Sequence, residues 1–569
     1  MVLPSSGGSW SDGKKVGRNT MNRRLVAVAI IWISGAAVLQ AQSGKLSIEL
    51  EEKIKGGKPE KIEVILQMKS AVNDNDRKNA KALGAEILKE LGVIDGIHLR
   101  VSVNALQGLA NNPKVKFISP ERELAGTLDY AVSATNAATA WSLGWTGAGV
   151  GVAVIDSGQN LHLDFANATC TASRVVYRQS FVSGDASTLD PYGHGTHVGG
   201  IIGGNDKCKV LASGFKGIAP ASNLIVFRVL DSSGRGTDTA VISAIDRAVE
   251  LKATYNIRVI NLSLGRGIKE SYQLDPLAQA VERAWKAGIV VVVSAGNNGR
   301  DTSAKGYGTI TSPGNHPAVI TVGAMRHDYI YDRAYHQIAT YSSKGPTRID
   351  RIAKPDLVAT GNRIAAASVG TTVLSAKSTW VTTDFMELSG TSMAAPVVAG
   401  AAALMIQKTP SLTPDTVKAR LMKTAWKGMP LNATYYDPAT ATTYYNQHDL
   451  FTVGAGYLNV QAALASTDVV ASTKTAYSPA ATYNTTNNTV LLSSGTSLVW
   501  GDAIFGKSLV WGDSLVWGDS ILWSNSLCWG DSTVSGFSLV WGDSTVWGFS
   551  SVGAEAVSTS GDTGVSKLR

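Results

Sequence analysis

The chain has 569 residues, of which 44% are hydrophobic and 17% are charged, and these values are typical of folded proteins and exclude a disordered chain. This length exceeds what one hydrophobic core usually serves, so we expect two or more domains. The net charge of +8 lies mainly in residues 1–128. Because the remainder is nearly neutral, the charge gives no argument for a nucleic-acid partner.

The N-terminal segment has the pattern of a signal peptide. A basic stretch, MNRR, begins at Met21, mainly apolar residues run from Leu25 to Leu39, and Ala41 offers a small residue for cleavage. The apolar stretch is too short to span a membrane comfortably. We expect residues 1–43 to be a leader whose signal starts at Met21, and we expect a secreted protein that is free or associated with the cell surface.

The three cysteines leave two alternatives open. Cys170 and Cys208 could form a disulfide in an exported protein, which would leave Cys528 alone. Three free thiols fit the sequence equally well. The sequences around these cysteines do not resemble metal sites.

Residues 44–126 predict a small α+β unit. Lys61–Met68 alternates as a strand, Asn75–Leu91 has helical spacing, and Gly96–Val103 is predicted to be a second strand. Asn104–Glu123 is predicted to contain a short helix and a third strand.

Residues 127–467 predict a different, α/β architecture. Near-continuous apolar strands alternate here with amphipathic helices, which indicates a parallel sheet with helices on both faces. Binding and catalytic sites in such sheets form at the carboxyl ends of the strands. The predicted strands are Val150–Asp156, Leu224–Leu230, Arg258–Leu264, Ile289–Gly296 and Ala318–Ala324, and the clearest helices are Thr239–Leu251 and Pro276–Gly288.

Four polar residues stand at strand ends or at a helix start in this region. Asp156 closes the strand in AVIDSG, and Asn297 follows the strand IVVVVSAG. His194 lies in GHGTHVGG, between two glycines that allow another backbone segment to approach closely. Ser392 lies in LSGTSMAAP, at the start of a predicted buried helix.

The helix start at Ser392 suits a developing negative charge. We expect Thr391 or Ser392 to cap this helix. Pro396 lacks the N–H that would bond the Ser392 carbonyl, so the first turn is left open. The N–H groups and the helix dipole favour an oxyanion there.

Together these residues match the chemistry of a serine hydrolase. A serine hydroxyl needs an imidazole as base, the imidazole needs a carboxylate, and the oxyanion needs hydrogen-bond donors. The four segments and the order Asp, His, Ser resemble the subtilisin-like serine proteases. The resemblance implies that Asp156 orients His194, that His194 is the general base and acid, and that Ser392 is the nucleophile. It also implies that Asn297 and the Ser392 N–H form the oxyanion hole.

The resemblance also implies where a polypeptide substrate binds. An extended peptide would lie between two strand edges and be held by main-chain bonds. Arg235 could favour acidic residues upstream of the cut, or it could simply be solvated. The expected edges are Ser263, Leu264 and Gly265 on one side and Gly234 and Gly236 on the other; Ser294, Ala295 and Gly296 are expected to wall the primary pocket, with Thr311 and Gly314 on its floor.

Further expectations from the resemblance concern ions and the N-terminal unit. We expect no catalytic cofactor and assign no metal ligands, because Gly203–Gly217 lacks the calcium-loop pattern of the family. Structural calcium stays open, with Asp164 as one conceivable ligand. His197 is expected to serve packing. Residues 44–126 resemble an inhibitory propeptide that is cut away between about Glu123 and Asp129.

The C-terminal region is unlike the rest of the chain. A linker, residues 468–496, precedes a hexapeptide repeat over residues 497–549 and a polar tail, residues 550–569. The repeat could bind carbohydrate or a surface, or its tryptophans could form its own core. The leading hypothesis is a secreted serine endopeptidase made as a zymogen, and the alternative is an inactive subtilase-like module that binds a surface through the repeat. The repeat tryptophans are Trp511, Trp517, Trp523, Trp529, Trp541 and Trp547.

Overall fold

The structure is a computed structural model, and the chain divides in it into two compact units at Leu124 and Ala125. The expected leader, the tryptophan repeat and Cys528 lie outside the described residues. The described residues are 45–57, 59–92, 95–120, 127–208, 214–301, 304–437, 440–484 and 489–493, with the short segments 515–516, 552–554 and 566–567.

The N-terminal unit is an antiparallel sheet with three short helices. Its elements are α1 (Ile48–Gly56), β1 (Lys61–Met68), α2 (Asp74–Ala82), β2 (Glu86–Leu91), β3 (Gly96–Ser102), α3 (Leu106–Ala110) and β4 (Val115–Pro120). The strand order is β2-β3-β1-β4. Val64, Leu66 and Met68 alternate into the core of the unit, as the period of two predicts.

The predicted helix Asn75–Leu91 is wrong in its second half. The helix ends at Ala82, and Gly84 follows with a φ of +78°, a conformation that terminates helices. Glu86–Leu91 then pairs with β3, so sheet pairing overrides the helical spacing of this segment. The predicted third strand, Val115–Pro120, is consequently the fourth strand of the unit.

The second unit contains the predicted parallel sheet. Its strands are β5 (Gly151–Asp156), β6 (Val175–Ser180), β7 (Asn223–Arg228), β9 (Ile257–Leu262), β11 (Val290–Ser294), β12 (Ile320–Arg326), β13 (Gln337–Ile338) and β14 (Leu357–Thr360). The strand order is β6-β7-β5-β9-β11-β12, and both β13 and β14 pair with β12. All pairings are parallel except that of β12 with β13.

Helices and smaller sheets make up the rest of the second unit. The helices are α4 (Thr127–Thr135), α5 (Ala137–Ser142), α6 (His194–Gly203), α7 (Asp238–Glu250), α8 (Lys252–Tyr255), α9 (Pro276–Lys286), α10 (Thr391–Lys408), α11 (Pro414–Lys423), α12 (Leu450–Val453) and α13 (Val460–Ala465). The smaller sheets are β10-β22-β8 (Leu264–Gly265, Val552–Ala554, Arg235–Gly236), β15-β16 (Ile364–Ala367, Phe385–Leu388), β18-β17-β23 (Thr442–Gln447, Asn432–Asp437, Ser566–Lys567) and β19-β20-β21 (Ala480–Asn484, Thr489–Ser493, Leu515–Val516).

The central helix α10 determines where Ser392, at its start, lies relative to the parallel sheet. It packs along β9, β11, β12 and β14 and against α6. Every residue of α10 from Thr391 to Ile406 is buried, which explains its nearly continuous apolar sequence. None of the described helices combines the length and apolar character that crossing a membrane requires.

A disulfide and a buried arginine connect the segment before α6 with the segment that follows it. Cys170 and Cys208 form a disulfide, which decides between the two alternatives left by the sequence. The Arg174 guanidinium is buried nearby, and burial lowers its pKa to about 10. It donates to the backbone carbonyl oxygens of Asp164, Ala166, Gly203 and Ser222 at 2.5–2.9 Å.

A fully buried charge cluster ties β14 to α11. Asp356 accepts from Lys354 Nζ at 2.7 Å and lies 3.1 Å from Lys418 Nζ. Burial alone would raise the pKa of Asp356, but the two ammonium groups hold it below its ordinary value. Burial lowers the pKa of both lysines. Removing one partner would leave an uncompensated buried charge, so the cluster is costly to disrupt.

The buried Lys344 predicts a rise of stability with pH. Its Nζ donates to the Lys305 carbonyl and to Asn446 Oδ1, and burial lowers its pKa to about 8. The unfolded chain holds this proton up to about pH 10.4. Between these values the unfolded state binds more protons, so the free energy of unfolding increases with pH.

We expect Lys344→Met to remove up to roughly 3 kcal/mol of the stability gained between pH 7 and pH 10. Thermal unfolding across this range, on chains that also carry Ser392→Ala to avoid self-digestion, measures the change. Lys377→Met, an exposed site, is the control. An identical pH slope in Lys344→Met and its parent would contradict the prediction.

Candidate active site

The structure joins Asp156 and His194, the first two predicted site residues. Asp156 is the last residue of β5, and His194 is the first residue of α6. The His194 Nδ1 lies 2.7 Å from Asp156 Oδ1, and both side chains are buried. Asp156 Oδ1 also accepts from the Ser157 N–H at 2.7 Å. This geometry fixes the imidazole with Nδ1 toward the carboxylate, as a general base requires.

Glycines beside His194 allow the close approach that the sequence predicts. A Cβ at Gly195 would lie 2.3 Å from the Gly158 carbonyl oxygen. Gly193 has a φ of +99° and caps α6. A side chain at Gly195 would therefore clash with the backbone of Gly158, and one at Gly193 would clash with Thr372, so either would displace the start of α6.

Sequence reasoning missed Asp190, the residue that holds the start of α6. Its buried carboxylate accepts from the N–H groups of Gly193 and Thr196, and from the Thr196 and Ser157 hydroxyls, at 2.7–2.8 Å. Burial raises the pKa of Asp190, and these donors oppose the rise. The signal that could have found it is an acidic residue just before a helix start, where free N–H groups need an acceptor.

Ser392 lies in the first turn of α10 and is paired with Ser263. The Ser392 Oγ donates to the Ser263 carbonyl oxygen at 3.2 Å. The Ser263 Oγ donates in turn to the Ser392 carbonyl oxygen at 2.8 Å. Pro396 leaves this carbonyl without its helical donor, so the Ser263 hydroxyl supplies the missing hydrogen bond. Ser263 therefore positions Ser392 in addition to its expected place on a strand edge.

The expectation that Thr391 or Ser392 caps α10 is wrong. Gly390 is the N-cap, and it has no side chain that could cap the helix. The Thr391 hydroxyl instead donates to Asn297 Oδ1 at 3.1 Å and accepts from the Gly296 N–H at 3.1 Å. Asn297 Oδ1 also accepts from the Thr391 N–H at 2.9 Å. These bonds fix the Asn297 amide with its oxygen toward the helix start.

The two expected strand edges face a common partner. β8 contains Gly236, and β10 contains Leu264 and Gly265. Both strands pair with the same short strand, β22. Gly234, in the turn before β8, has a φ of +76°. The two edges are thus spaced to hold one extended strand between them.

The residues expected around the primary pocket are close together. The Thr311 N–H donates to the Ala295 carbonyl at 3.2 Å. A Cβ at Gly296 would lie 3.0 Å from Thr311 Cγ2. A Cβ at Gly314 would lie 3.2 Å from the Ser294 carbonyl oxygen. These positions surround one space after β11, and their role as a pocket stays a prediction.

Other candidate groups have structural surroundings. His197 is buried, its Nε2 lies 2.9 Å from the Ile364 carbonyl oxygen, and burial lowers its pKa to about 3. A neutral, buried imidazole of this kind matches the packing role expected from the sequence. Asp164 Oδ1 accepts from the Asp206 N–H at 2.8 Å. Among the described residues, no three His, Cys, Asp or Glu side chains form a group that could hold a metal ion.

The family model described as the subtilase family matches residues 147–456, which is more than half of the chain. The chain belongs to the subtilase family. This subtilase is 32% identical to the serine protease AprX of Bacillus subtilis over 380 residues, which cover 63% of the chain and 82% of that protein. It is 35% identical to subtilisin DY of Bacillus licheniformis over 339 residues, which cover 60% of the chain and 99% of that protein.

Solved structures give a related match. A cold-adapted subtilisin-like serine proteinase is 29% identical, covers 56% of this chain and 90% of its own, and aligns with a TM-score of 0.39. The family match establishes the subtilisin-like α/β fold predicted from the sequence. It also establishes that this subtilase is a subtilisin-like serine protease, which acts on polypeptides and whose chemistry needs no cofactor.

We expect Asp190→Ala to lower kcat about tenfold to a hundredfold, because α6 then loses the acceptor that fixes His194. KM should change less than kcat, since the Asp190 carboxylate hydrogen-bonds Ser157, Gly193 and Thr196 rather than the strand edges. Steady-state kinetics on a peptide substrate, with a melting curve to verify folding, measure the effect. Asp246→Ala, at a surface ion pair with Arg283, is the control. A folded Asp190→Ala enzyme with unchanged kcat would refute this positioning role.

Proposed function

We propose that this subtilase is an exported serine endopeptidase, made as a zymogen, that cleaves through Asp156, His194 and Ser392. The observation that carries the proposal is the buried 2.7 Å contact between His194 Nδ1 and Asp156 Oδ1. When Nδ1 of an imidazole is held by a carboxylate in this way, Nε2 is the atom that acts as the base. Ser392, at the start of α10, supplies the hydroxyl that the base activates.

In the first step, the Ser392 Oγ attacks the carbonyl carbon of the substrate and His194 takes its proton. The imidazolium that forms is stabilised by the Asp156 carboxylate in a site shielded from water. His194 then gives the proton to the leaving amine. A water molecule, activated by His194, then attacks the acyl-enzyme and regenerates Ser392.

The oxyanion is stabilised by Asn297 and by the Ser392 N–H. Support comes from the orientation of the Asn297 amide, whose oxygen accepts from Thr391 at 2.9 Å. The hydrogen-bond donor of this side chain is its amide nitrogen, Nδ2. A Cβ at Gly390 would lie 3.2 Å from that nitrogen, so the glycine keeps space beside it. Fixed donors of this kind stabilise the charge without reorganisation.

The N-terminal unit acts as an inhibitory propeptide in this proposal, and residues 127–467 are the catalytic domain. The sheet β2-β3-β1-β4 of the N-terminal unit encloses a hydrophobic core of its own. The signal-like leader and the disulfide between Cys170 and Cys208 support export, because disulfides persist in oxidising compartments.

The role of Ser392 as the nucleophile can be tested by labelling and by substitution. A fluorophosphonate probe should label the wild-type protein, and Ser392→Ala should lose both labelling and hydrolysis of casein. Subtilisin itself is the reference for the size of the loss, on the order of 10⁶-fold in kcat, a value taken over from that enzyme. Ser142→Ala, on α5, is the control.

An unlabelled, inactive wild-type protein would contradict the proposal and would favour the surface-binding module. Hydrolysis of simple esters without hydrolysis of casein would also contradict it, because the site would then be that of an esterase.

The second prediction concerns maturation. N-terminal sequencing of the secreted wild-type protein should give a start between Glu123 and Asp129, and the Ser392→Ala protein should retain the N-terminal unit. A wild-type protein that is active on casein with the N-terminal unit still attached would contradict the zymogen. The experiment needs no added protease, since the cut is made by the enzyme itself.

A further inference from the structure

A strand from the C-terminal tail lies between the two edges expected to bind substrate. This strand, β22 (Val552–Ala554), pairs antiparallel with β10 on one side and with β8 on the other. Gly553 is opposite Gly265 in β10 and opposite Arg235 in β8. The backbone of the tail therefore completes a three-stranded sheet in the cleft.

The direction of β22 is the one a substrate must take. Each residue forward along β22 corresponds to one residue back along β10, and Ala554 is opposite Leu264. The residue before Leu264 is Ser263, whose carbonyl oxygen is 3.2 Å from Ser392 Oγ. The tail thus runs toward the nucleophile with its carboxyl side leading. A peptide bound in the opposite direction would approach Ser392 with its amino-terminal side first.

A second contact holds the tail beyond β22. β23 (Ser566–Lys567) pairs antiparallel with β17, where Ser566 is opposite Tyr435. The chain is therefore attached to the same unit on both sides of residues 555–565. Main-chain pairing of this kind places few demands on side chains, and a covalent tether gives the segment a high effective concentration at the cleft.

We propose that the protease binds its own C-terminal segment as a substrate and hydrolyses the Glu555–Ala556 peptide bond, which releases residues 556–569 from the covalent chain. Glu555 follows Ala554 in the sequence, and continuing the antiparallel register by one residue would set it opposite Ser263, beside the nucleophile. The inference rests on the proposed function, because the cut uses Ser392 and His194.

The reaction is ordinary peptide hydrolysis. The Ser392 Oγ forms a bond with the Glu555 carbonyl carbon, and His194 carries the Ser392 proton to the Ala556 nitrogen as the C–N bond breaks. A water then hydrolyses the ester, leaves Glu555 with a free carboxylate and returns a proton to Ser392.

Intact-mass measurement of the secreted full chain tests the proposal. Wild type should end at Glu555, and Ser392→Ala should end at Arg569. A small amount of wild-type enzyme added to Ser392→Ala should trim it at the same bond. A synthetic peptide with the sequence of residues 550–558 should be cut after the position of Glu555 by the mature enzyme.

Matched proline variants test the strand pairing. Gly553→Pro should slow loss of the tail at least tenfold, because proline cannot donate to a strand ladder and Gly553 pairs on both sides. Gly561→Pro, outside β22, should be processed as wild type. Both variants should hydrolyse casein at the wild-type rate, which shows that they fold.

Three results would overturn the inference while leaving the proposed function intact. They are an enzyme active on casein that retains Arg569, a cut at a bond other than Glu555–Ala556, and Gly553→Pro processed at the wild-type rate. A wild-type chain that hydrolyses no casein contradicts the proposed function itself, and the two failures are thereby separated.

Discussion

The parallel pairing of β5, β9 and β11 is the constraint on which the site depends. Because the strands run in one direction and in register, Asp156, Ser263 and Asn297 emerge at the same edge of the sheet, although 141 positions of sequence separate the first from the last. Helix α10 packs across these strands and brings Ser392 to that edge. The backbone of the strands and of α10 therefore determines where each of these side chains lies.

Much of this arrangement follows from local sequence. The apolar runs of β5 and β11 are unambiguous because both strands are buried throughout, and the polar residue that ends each run is conspicuous. The strand β2 could not be predicted, because Glu86–Leu91 has only exposed and partly exposed residues, without a buried face, and its identity depends on pairing with β3. Thr391 likewise looks like a helix cap until its hydroxyl is seen to bind Asn297.

The residues and roles that sequence reasoning missed depend on tertiary contacts. Asp190 accepts from the N–H groups that converge on it, and Ser263, expected only as part of a strand edge, also donates to the carbonyl that Pro396 leaves open. The buried cluster of Lys354, Asp356 and Lys418 joins residues up to 64 positions apart and has no local pattern. The cleft strand β22 is the extreme case, since it lies almost 290 residues beyond β10.

The fit of β22 has a consequence for how the end of this chain can evolve. Main-chain hydrogen bonds in a sheet depend little on the side chains, so most substitutions around residues 552–554 should be tolerated. What the fold does fix is a distance. Eleven residues lead from Ala554 to Ser566, and they must cover the path from β10 to β17. Selection on this tail should therefore act on insertions and deletions far more than on substitutions.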